Sequence, residues 1–323
     1  MASEFELIER HFSRPGKRAV LGIGDDCALI DAAPGMTLAV STDILVAGTH
    51  FFPHTDAMRL GHKTLAVNLS DLAAMGATPR YATLTLSLPQ ADEAWLGAFA
   101  AGFFALAGEH GVELIGGDTT RGPLTLGVTI MGEVPHGAAI RRSGAQPGDD
   151  VWVSGTLGDA ALGLAFLRGT KALDEPLARM CVERLEAPTP RVALGVRLVG
   201  IATAMIDVSD GLGGDLAHLA RASKVTATLR ASDLPLSAAL NTLAPEEALR
   251  LALGGGDDYE LCFTAPSSLR ETVRQAGHDA KAPVTRVGSI DGTANFAGAV
   301  RLVGADGREL PMAQGFDHFL ADA

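Results

Sequence analysis

The chain has 323 residues, of which 47% are hydrophobic and 20% charged, and its formal net charge is −12. This is ordinary globular composition, and the length favours two domains over a single compact core. The sequence has no run of Lys and Arg, so we do not expect nucleic acid as a partner. An acidic protein that binds phosphates needs cations, so we expect metal ions to bind with them.

The N-terminal residues carry neither a basic segment nor an apolar signal core, so we predict a cytoplasmic protein without a signal peptide. The most apolar stretch, residues 94–107, is shorter than the ~20 residues of a membrane span. We therefore expect a buried helix there and no membrane association. Three cysteines without zinc-ligand spacing indicate reduced thiols that pack as small buried hydrophobes, namely Cys27, Cys181 and Cys262.

The first half of the chain predicts alternating strands and helices. A strand at 36–40 runs into a C-terminal carboxylate, Asp43, and a strand at 112–115 stops at Gly116. The remaining elements predicted in this half are helices at 59–75 and 94–108 and strands at 83–88 and 124–131.

Residues 136–150 are polar, rich in turn formers and locally basic, which is typical of a domain boundary. We predict an N-terminal domain at 1–137 and a C-terminal domain at 148–323. Strands and helices alternate in both without a convincing repeat between them, so the expected fold class is α/β or α+β layers. The second half predicts strands at 151–153, 204–206, 261–264 and 284–290 and helices at 159–167 and 212–222.

Acidic residues collect beside glycine or hydroxyl residues where apolar segments end. Each such place could be a plain turn, because Asp serves turns well. Five of them together favour a ligand site, since ligands of sheet proteins bind where strand ends open into loops. The five segments are 24–26, 41–43, 116–118, 207–211 and 256–258.

The helix predicted at 59–75 carries a polar stripe. Thr64, Asn68 and Asp71 are spaced i, i+4 and i+7, so they share one face of a helix that is otherwise mostly apolar. An exposed face is the plain interpretation, whereas the apolar flanks favour a functional face.

Acids that converge need a cation. Two carboxylates about 4 Å apart repel each other by about 4 kcal/mol at an effective dielectric of 20. Oxygen ligands favour Mg²⁺, which typically bridges carboxylates and substrate phosphates, and the scarcity of histidine at these points disfavours zinc. From its residues alone, the sequence predicts a metal-dependent phosphate site.

Familiar nucleotide and nucleophile motifs are missing from the sequence. Gly22 and Gly24 begin like a dinucleotide loop but continue as Asp-Asp, and neither Gly-Lys-Ser/Thr nor a kinase catalytic loop occurs. The segment 155–159 lacks lysine and predicts the entry to a helix, with Asp159 near its positive end. Ser209 has no histidine nearby in sequence and no Gly-x-Ser-x-Gly frame, so a serine nucleophile is not supported.

Seven segments in a fixed order resemble the thiamine-monophosphate kinase family, from about residue 5 to residue 319. The combination is specific, although single pieces occur across the wider superfamily. The segments are GIGDDCA at 22–28, STDILVAGTHF at 41–51, LAVNLSDLAAMGA at 65–77, GGDTTRG at 116–122, RSGA at 142–145, DVSDGL at 207–212 and DYEL at 258–261.

The resemblance implies a two-domain fold of the aminoimidazole-ribonucleotide synthetase type, with an N-terminal sheet domain that forms a homodimer and with ATP in the cleft. It implies Mg²⁺-assisted, direct transfer of the terminal phosphoryl group of ATP to thiamine monophosphate, which gives thiamine diphosphate. A phosphate nucleophile is already anionic, so no general base is needed, and charge neutralisation by metals and Arg142 can suffice.

The resemblance also implies site residues. His50 alone would be a surface or capping histidine and Phe316 a core residue, but aromatic faces also stack on heteroaromatic rings. The implied ATP contacts are Gly117, Asp118, Arg142 and Ser209, the implied substrate contacts are His50, Asp257 and Phe316, and the implied metal ligands are Asp26, Ser41, Thr42, Asp43, Asp71, Asp118, Asp207 and Asp210.

One position departs from the family pattern. The family usually has Gly-Gly-Glu-Asp-Tyr-Glu-Leu, and here Asp257 stands in place of the first Glu. The charge is kept but the reach is one methylene shorter, which weakens the expectation that Asp257 contacts the substrate.

Two alternatives remain open. The first is another enzyme of the superfamily, such as aminoimidazole-ribonucleotide synthetase. Selenophosphate synthetase would carry a reactive Cys or selenocysteine in an N-terminal Gly-rich segment, and a hydrogenase-maturation relative would end in a Cys-bearing tail, whereas residues 320–323 read LADA. The second is a metal- or nucleotide-binding scaffold without turnover, in which the acids serve structure.

Overall fold

The computed structural model of the chain describes residues 4–14, 16–292, 298–313 and 315. The chain divides into two compact units. The first comprises Met1–Leu72 and Ala77–Gly137, and the second comprises Ala73–Gly76 and Ala138–Ala323.

The first unit is a sheet with helices on one face. Among the described residues, its sheet has four strands in the order β1-β4-β2-β3, and all neighbours are antiparallel except β2 and β3. That parallel pair is joined by a helical crossover, as parallel strands require. The elements are α1 (Glu4–His11), β1 (Met36–Val46), α2 (Ala57–Ala74), β2 (Thr78–Leu88), α3 (Glu93–His110), β3 (Glu113–Arg121) and β4 (Thr125–Pro135).

The crossover helix α3 has clear start and stop signals. The Asp92 side chain accepts hydrogen bonds from the backbone N–H groups of Ala94 and Trp95, which satisfies two of the free donors at the helix start. Gly111 ends the helix at a φ of 64°, a conformation that glycine adopts without steric cost. Phe99 and Phe103 are fully buried, so the predicted buried helix at 94–108 is confirmed.

Two predictions in the first unit are wrong about where strands end. β1 does not stop at 40 but continues through Asp43 to Val46, and β3 passes through Asp118 to Arg121. In both cases a partner strand continues the ladder: β4 pairs with β1 along its whole length, and β2 pairs with β3 as far as Arg121. Asp43 and Asp118 therefore lie within strands, because paired backbone tolerates an exposed polar side chain on one face.

The second unit is built on a longer sheet. Among the described residues it has seven strands in the order β11-β10-β7-β9-β5-β8-β6, antiparallel except for β10 and β7. Its elements are β5 (Asp149–Ser154), α4 (Asp159–Leu167), α5 (Glu175–Glu186), α6 (Val192–Arg197), β6 (Ala204–Val208), α7 (Leu212–Ser223), β7 (Thr226–Arg230), α8 (Pro245–Gly254), β8 (Glu260–Pro266), α9 (Arg270–Asp279), β9 (Val284–Gly292), β10 (Val300–Val303) and β11 (Glu309–Leu310).

The core of the second unit lies between this sheet and helix α7. Leu212, Leu216 and Leu219 of α7 pack with Val151 of β5 and Ile206 of β6 in one buried cluster. The helix predicted at 159–167 has those limits as α4, and the helix predicted at 212–222 is confirmed as α7. The mixed α/β layers agree with the predicted fold class.

The three cysteines differ in their surroundings. Cys181 and Cys262 are buried, as predicted, but Cys27 is exposed, so the prediction is wrong for that residue. Cys27 lies in the irregular segment between α1 and β1. Burial raises the pKa of the Cys181 thiol to about 12, which keeps it protonated and unreactive.

The described residues contain no helix that is both long enough and apolar enough to cross a membrane.

Candidate active site

The polar stripe of α2 faces β1 and not solvent. Thr64 and Asn68 are each 1% exposed, so the alternative of an exposed face is wrong for them. The Asn68 side chain donates to the Thr64 carbonyl at 3.1 Å and accepts the Asp43 backbone N–H at 3.1 Å. One turn further on, the Ser41 hydroxyl donates to the Asp71 carboxylate. The stripe therefore joins α2 to the stretch of β1 that carries three predicted metal ligands.

The side chains of Ser41 and Asp43 lie on the same face of β1, because alternate residues of a strand share a face. Asp71 approaches that face from α2. This patch, defined here as Ser41, Asp43 and Asp71, offers two carboxylates and a hydroxyl. Hard oxygen donors of this kind suit Mg²⁺, which is usually held by one or two carboxylates together with waters and substrate phosphates.

Thr42 lies on the opposite face of the sheet, where its hydroxyl is 2.8 Å from that of Thr129. The strand register places Asp118 on this same outer face, paired with Thr85. β1 and β3 are separated by three strand spacings, or about 14 Å. The predicted ligands of the first unit are thus divided between two faces. Within the described ranges, no three His, Cys, Asp or Glu side chains gather into a metal-binding group.

A cavity of about 800 Å³ opens in the first unit and brings together three of the predicted site residues. Asp26 comes from the irregular N-terminal segment, and Gly117 and Asp118 come from β3. Leu84 and Phe12 supply apolar lining. A cavity of this size, apolar with a few acidic groups, suits a nucleotide or other small molecule.

The Glu113 carboxylate fixes part of the segment that leads to Asp26. It accepts the backbone N–H groups of Lys17, Arg18 and Ala19 at 2.7, 2.8 and 3.2 Å. These N–H donors lower the pKa of the Glu113 carboxyl against the opposing effect of burial, which is the largest single influence. Sequence analysis did not identify Glu113, because its partners lie more than ninety residues away along the chain.

Gly117 lies where β3 approaches β2 too closely for a side chain. A Cβ at this position would stand 1.9 Å from the carbonyl oxygen of Leu84. Its neighbour Gly116 has ordinary space, with the nearest atom, Thr83 Cγ2, at 3.8 Å. The close approach explains the glycine at 117 independently of any ligand.

His50 follows the end of β1 in a tight turn. Its ring Nδ1 accepts the backbone N–H of Val46 at 3.0 Å, so Nε2 carries the proton in this arrangement. The buried Lys63 ammonium donates to the His50 carbonyl at 3.4 Å. His50 therefore caps the turn after β1, which is one of the plain roles considered for it, and its Nδ1 is used in that hydrogen bond.

In the second unit, one predicted metal ligand lies near the end of β6 and another in the loop that follows it. Asp207 is in the strand and 5% exposed, while Ser209 and Asp210 follow it. The Asp215 carboxylate accepts the N–H groups of Ser209, Asp210 and Gly211 at 3.1, 3.1 and 3.2 Å. Asp215, which sequence analysis missed, thus fixes the shape of the loop from the first turn of α7.

The electrostatics of this loop favour a cation. Burial raises the pKa of the Asp215 carboxyl to about 7, the charge of Asp210 adds to that rise, and the three N–H donors oppose it. A cation beside Asp210 would offset the repulsion between the two acids.

Arg142 lies on an exposed segment that α7 secures. The Ser223 hydroxyl donates to the Arg142 carbonyl at 2.9 Å and accepts the N–H groups of Gly144 and Ala145, both at 3.1 Å. The Arg142 side chain is exposed, so its guanidinium can bind an anion from solution.

Asp257 precedes two acidic residues that are fully enclosed. Asp258 is 1% exposed and its carboxylate accepts the Gly158 N–H at 2.7 Å. Burial, together with the charges of Asp159 and Glu260, raises the pKa of Asp258 well above its usual range. Glu260 is 0% exposed and binds two arginines, described below. The remaining predicted contact, Phe316, lies outside the described residues.

Two family profiles match the chain. Residues 24–134 match the N-terminal domain of AIR synthase related proteins, and residues 146–301 match their C-terminal domain. The two matches together cover most of the chain.

Curated and solved relatives extend this likeness. The thiamine-monophosphate kinase of Escherichia coli (strain K12) is 47% identical over 322 residues, 98% of each chain. The crystal structure of thiamine-monophosphate kinase from Stenotrophomonas maltophilia K279a has a TM-score of 0.83 at 48% identity, covering 94% of this chain and 95% of that one. AaThiL complexed with AMPPCP and TMP has a TM-score of 0.77 at 30% identity, covering 90% and 89%. By identity and coverage, the chain belongs to the thiamine-monophosphate kinase family.

Proposed function

We propose that this chain phosphorylates thiamine monophosphate to thiamine diphosphate, with ATP as the phosphoryl donor and Mg²⁺ as the assisting cation. The observation that carries the proposal is the likeness to AaThiL complexed with AMPPCP and TMP, at 30% identity and a TM-score of 0.77. AMPPCP mimics ATP, so the relative holds a donor analogue and TMP together. That supports direct, in-line transfer between two bound substrates.

The chemistry fits the side chains in the two units. The acceptor is a phosphate monoester with a second pKa near 6, so at neutral pH it is already an anionic nucleophile. No side chain has to remove a proton from it. Catalysis then reduces to positioning the two substrates and neutralising the charge on the transferred group.

The donor sets fit Mg²⁺. In the first unit, Ser41, Asp43 and Asp71 offer hard oxygen atoms, and in the second unit Asp207 and Asp210 do so. When bound, Mg²⁺ supplies positive charge that stabilises the phosphate oxygens of ATP and of the transition state. The further proposed ligands are Asp26, Thr42 and Asp118.

We assign the substrate contacts to the positions that the family pattern marks. Arg142 contributes a cation for charge neutralisation, and Gly117 lines the cavity proposed for ATP. The proposed ATP contacts are Gly117, Asp118, Arg142 and Ser209, and the proposed substrate contacts are His50, Asp257 and Phe316.

The test is an assay of thiamine diphosphate formation with purified protein, ATP, Mg²⁺ and thiamine monophosphate. We expect stoichiometric ADP and thiamine diphosphate, and no product when Mg²⁺ is chelated. If the protein binds ATP and Mg²⁺ but forms no thiamine diphosphate, the scaffold alternative is correct. Product formed only from another superfamily substrate would favour the related-enzyme alternative.

Asp257 offers a test of the departure from the family pattern. Asp257→Glu restores the longer side chain, so we expect KM for thiamine monophosphate to fall or stay within about threefold, with KM for ATP unchanged. Asp257→Asn, the matched variant without charge, should raise KM for thiamine monophosphate by about tenfold or more. Equal KM values for all three proteins would remove Asp257 from the substrate site.

A homodimer through the outer sheet face of the first unit is part of the proposal. α2 and α3 cover the inner face, whereas on the outer face Val40 is 60% exposed and Ile44 is 58% exposed. Both are β-branched residues of the edge strand β1, with Thr42 between them. Large apolar side chains exposed together on one sheet face are typical of an interface, and a second copy presents the same face.

The variant Ile44→Lys tests this assembly. A charge on the outer face should shift the protein from dimer to monomer, measured by sedimentation at several concentrations. Met58→Lys is the matched control, because Met58 is 52% exposed in the same unit but lies on α2. If Ile44→Lys and Met58→Lys sediment alike, the outer face is not the interface.

We further propose that residues 1–137 form an ATP- and Mg²⁺-binding domain that dimerises and that residues 148–323 form the C-terminal α/β domain. Use of ATP and the free thiols of the three cysteines support a cytoplasmic location.

A further inference from the structure

The loop that carries Asp257 runs beside the end of β6. The Asp257 N–H donates to the Ser209 carbonyl and the Tyr259 N–H donates to the Val208 carbonyl, both at 2.8 Å. Gly256 passes so close that a Cβ there would stand 2.7 Å from the Ser209 oxygen. The loop is therefore tied, through its backbone, to the segment with the proposed ATP contact Ser209.

The backbone of this loop is strained on both sides of Asp258. Asp257 has a φ of 68° and Tyr259 a φ of 49°, in the left-handed region that residues other than glycine rarely adopt. A bulky residue such as Tyr persists there only when its surroundings enforce the conformation. Strain of this kind is concentrated at functional sites, and it requires neighbouring groups that enforce it.

Glu260, one residue after Tyr259, is fixed from three sides. Arg191 binds its carboxylate with two bonds, from Nε at 2.6 Å and Nη2 at 2.5 Å. Arg184 donates a further bond from Nη2 at 2.5 Å, and the Ser154 hydroxyl donates at 2.5 Å. The carboxylate is 0% exposed, and each arginine side chain is less than one-fifth exposed. Gly155 packs directly against the Glu260 carboxylate, because a Cβ at position 155 would stand 2.1 Å from Glu260 Oε1.

Stability alone is a poor reason for such a cluster. Removing two charges from water offsets most of their attraction, so a buried ion pair adds little over an apolar replacement of similar shape. What a two-bond arginine–carboxylate contact supplies is direction, because both groups are planar and must align. Glu260 begins β8, so its orientation determines where the preceding loop ends.

We propose that Glu260, held by Arg191 and Arg184, is a positioning residue that maintains the strained loop and so aims Asp257 at the acceptor substrate. The inference rests on the proposed contact between Asp257 and thiamine monophosphate. It assigns to the two arginines a role in acceptor binding that acts through Glu260.

The experiment compares Arg191→Lys with a matched control. Lysine keeps the charge but cannot make the two-bond contact, so KM for thiamine monophosphate should rise by about tenfold while KM for ATP stays within about twofold. Arg270→Lys is the control, because Arg270 makes the same two-bond contact with the buried Asp150, at 2.6 and 2.8 Å, on a different part of the same unit. It should leave both KM values unchanged.

A double variant separates positioning from general loss of structure. If Arg191 acts through Asp257, Arg191→Lys should add no further increase in KM for thiamine monophosphate when Asp257 is already Asn. Arg184→Lys is measured in parallel, because Arg184 Nη2 donates to the Glu260 carboxylate at 2.5 Å and to the Asp258 carbonyl at 3.4 Å. It lacks the two-bond contact of Arg191, so its KM for thiamine monophosphate should rise by a smaller factor. It also provides a folded variant if Arg191→Lys unfolds.

Several outcomes would overturn the inference. The first is an equal rise in the KM values for thiamine monophosphate and for ATP in Arg191→Lys. The second is a double variant in which the increases caused by Arg191→Lys and Asp257→Asn multiply. The third is a KM for thiamine monophosphate in both Arg191→Lys and Arg184→Lys that equals that of Arg270→Lys. Each leaves the proposed function standing, provided that the wild-type protein forms thiamine diphosphate. A wild type that forms none refutes the proposed function itself.

Discussion

Asp71→Asn should lose at least about 99% of kcat while remaining folded. Asp71 is the member of the Ser41–Asp43–Asp71 patch that α2 supplies, and it binds the Ser41 hydroxyl. Asparagine keeps an oxygen to accept that hydroxyl, so the packing of α2 on β1 is preserved. It removes the negative charge that we propose holds Mg²⁺, so charge neutralisation at the phosphates should be lost.

The measurements are kcat, the Mg²⁺ concentration that gives half-maximal activity, and circular dichroism. We expect the required Mg²⁺ concentration to rise by about tenfold or more in Asp71→Asn, because a carboxylate ligand has become neutral. A loss of activity with unchanged Mg²⁺ dependence would point to a role for Asp71 other than metal binding.

Asp56→Asn is the control at the start of the same helix. Asp56 precedes α2, and its side chain accepts the Arg59 N–H at 3.0 Å, which is a helix cap. Asparagine caps helices as well as aspartate does, so Asp56→Asn should have normal stability and normal kcat. If Asp71→Asn turned over ATP at the rate of Asp56→Asn, the assignment of Asp71 to the metal site would be wrong.

Sequence periodicity located the elements that bury a long apolar face. α2, α3 and α7 each bury several large side chains at helical spacing, and each was predicted to within about two residues at its ends. α9 was not predicted, because only Val273, Ala276 and Gly277 of its ten residues are buried. The strand β7 was missed because only Ala227 and Leu229 of its five residues are buried, whereas β6, of the same length, is buried throughout and was predicted.

The candidate site could be predicted in part. The i, i+4, i+7 stripe found Asp71 because all its members are on one helix, where spacing fixes geometry. Spacing did not reveal that β1 continues past Asp43, since only the pairing with β4 decides where that strand ends. Because 41–43 lie within that strand, the Thr42 side chain is on the face opposite to those of Ser41 and Asp43.

The buried charges lay beyond the reach of sequence reasoning. Glu260 meets Arg191 across 69 residues and Arg184 across 76, and Asp258 meets Gly158 across 100. Nothing local distinguishes these arginines from surface ones, because long-range pairing is set by the tertiary fold. The family resemblance identified the DYEL segment at 258–261 but not the partners that enclose it.

Gly117→Ala should strongly lower the free energy of unfolding, although it adds only one methyl group. The new Cβ would stand 1.9 Å from the Leu84 oxygen, 2.8 Å from its carbonyl carbon and 3.0 Å from its nitrogen, all of them backbone atoms. Backbone in the middle of β2 cannot rotate away as a side chain could. β3 must therefore move, and overpacking of this kind costs about 3 kcal/mol of the free energy of unfolding.

Gly116→Ala is the matched control, because its Cβ would meet only Thr83 Cγ2 at 3.8 Å. Urea unfolding should show a large loss of stability for Gly117→Ala and a change below about 1 kcal/mol for Gly116→Ala. Since Gly117 and Asp118 line the cavity of the first unit, displacement of β3 should also weaken binding of AMPPCP in calorimetry at a temperature where the variant is folded. Similar stability for the two alanine variants would mean that β3 yields readily at this point. Loss of stability with unchanged AMPPCP binding would instead separate the cavity from the nucleotide site.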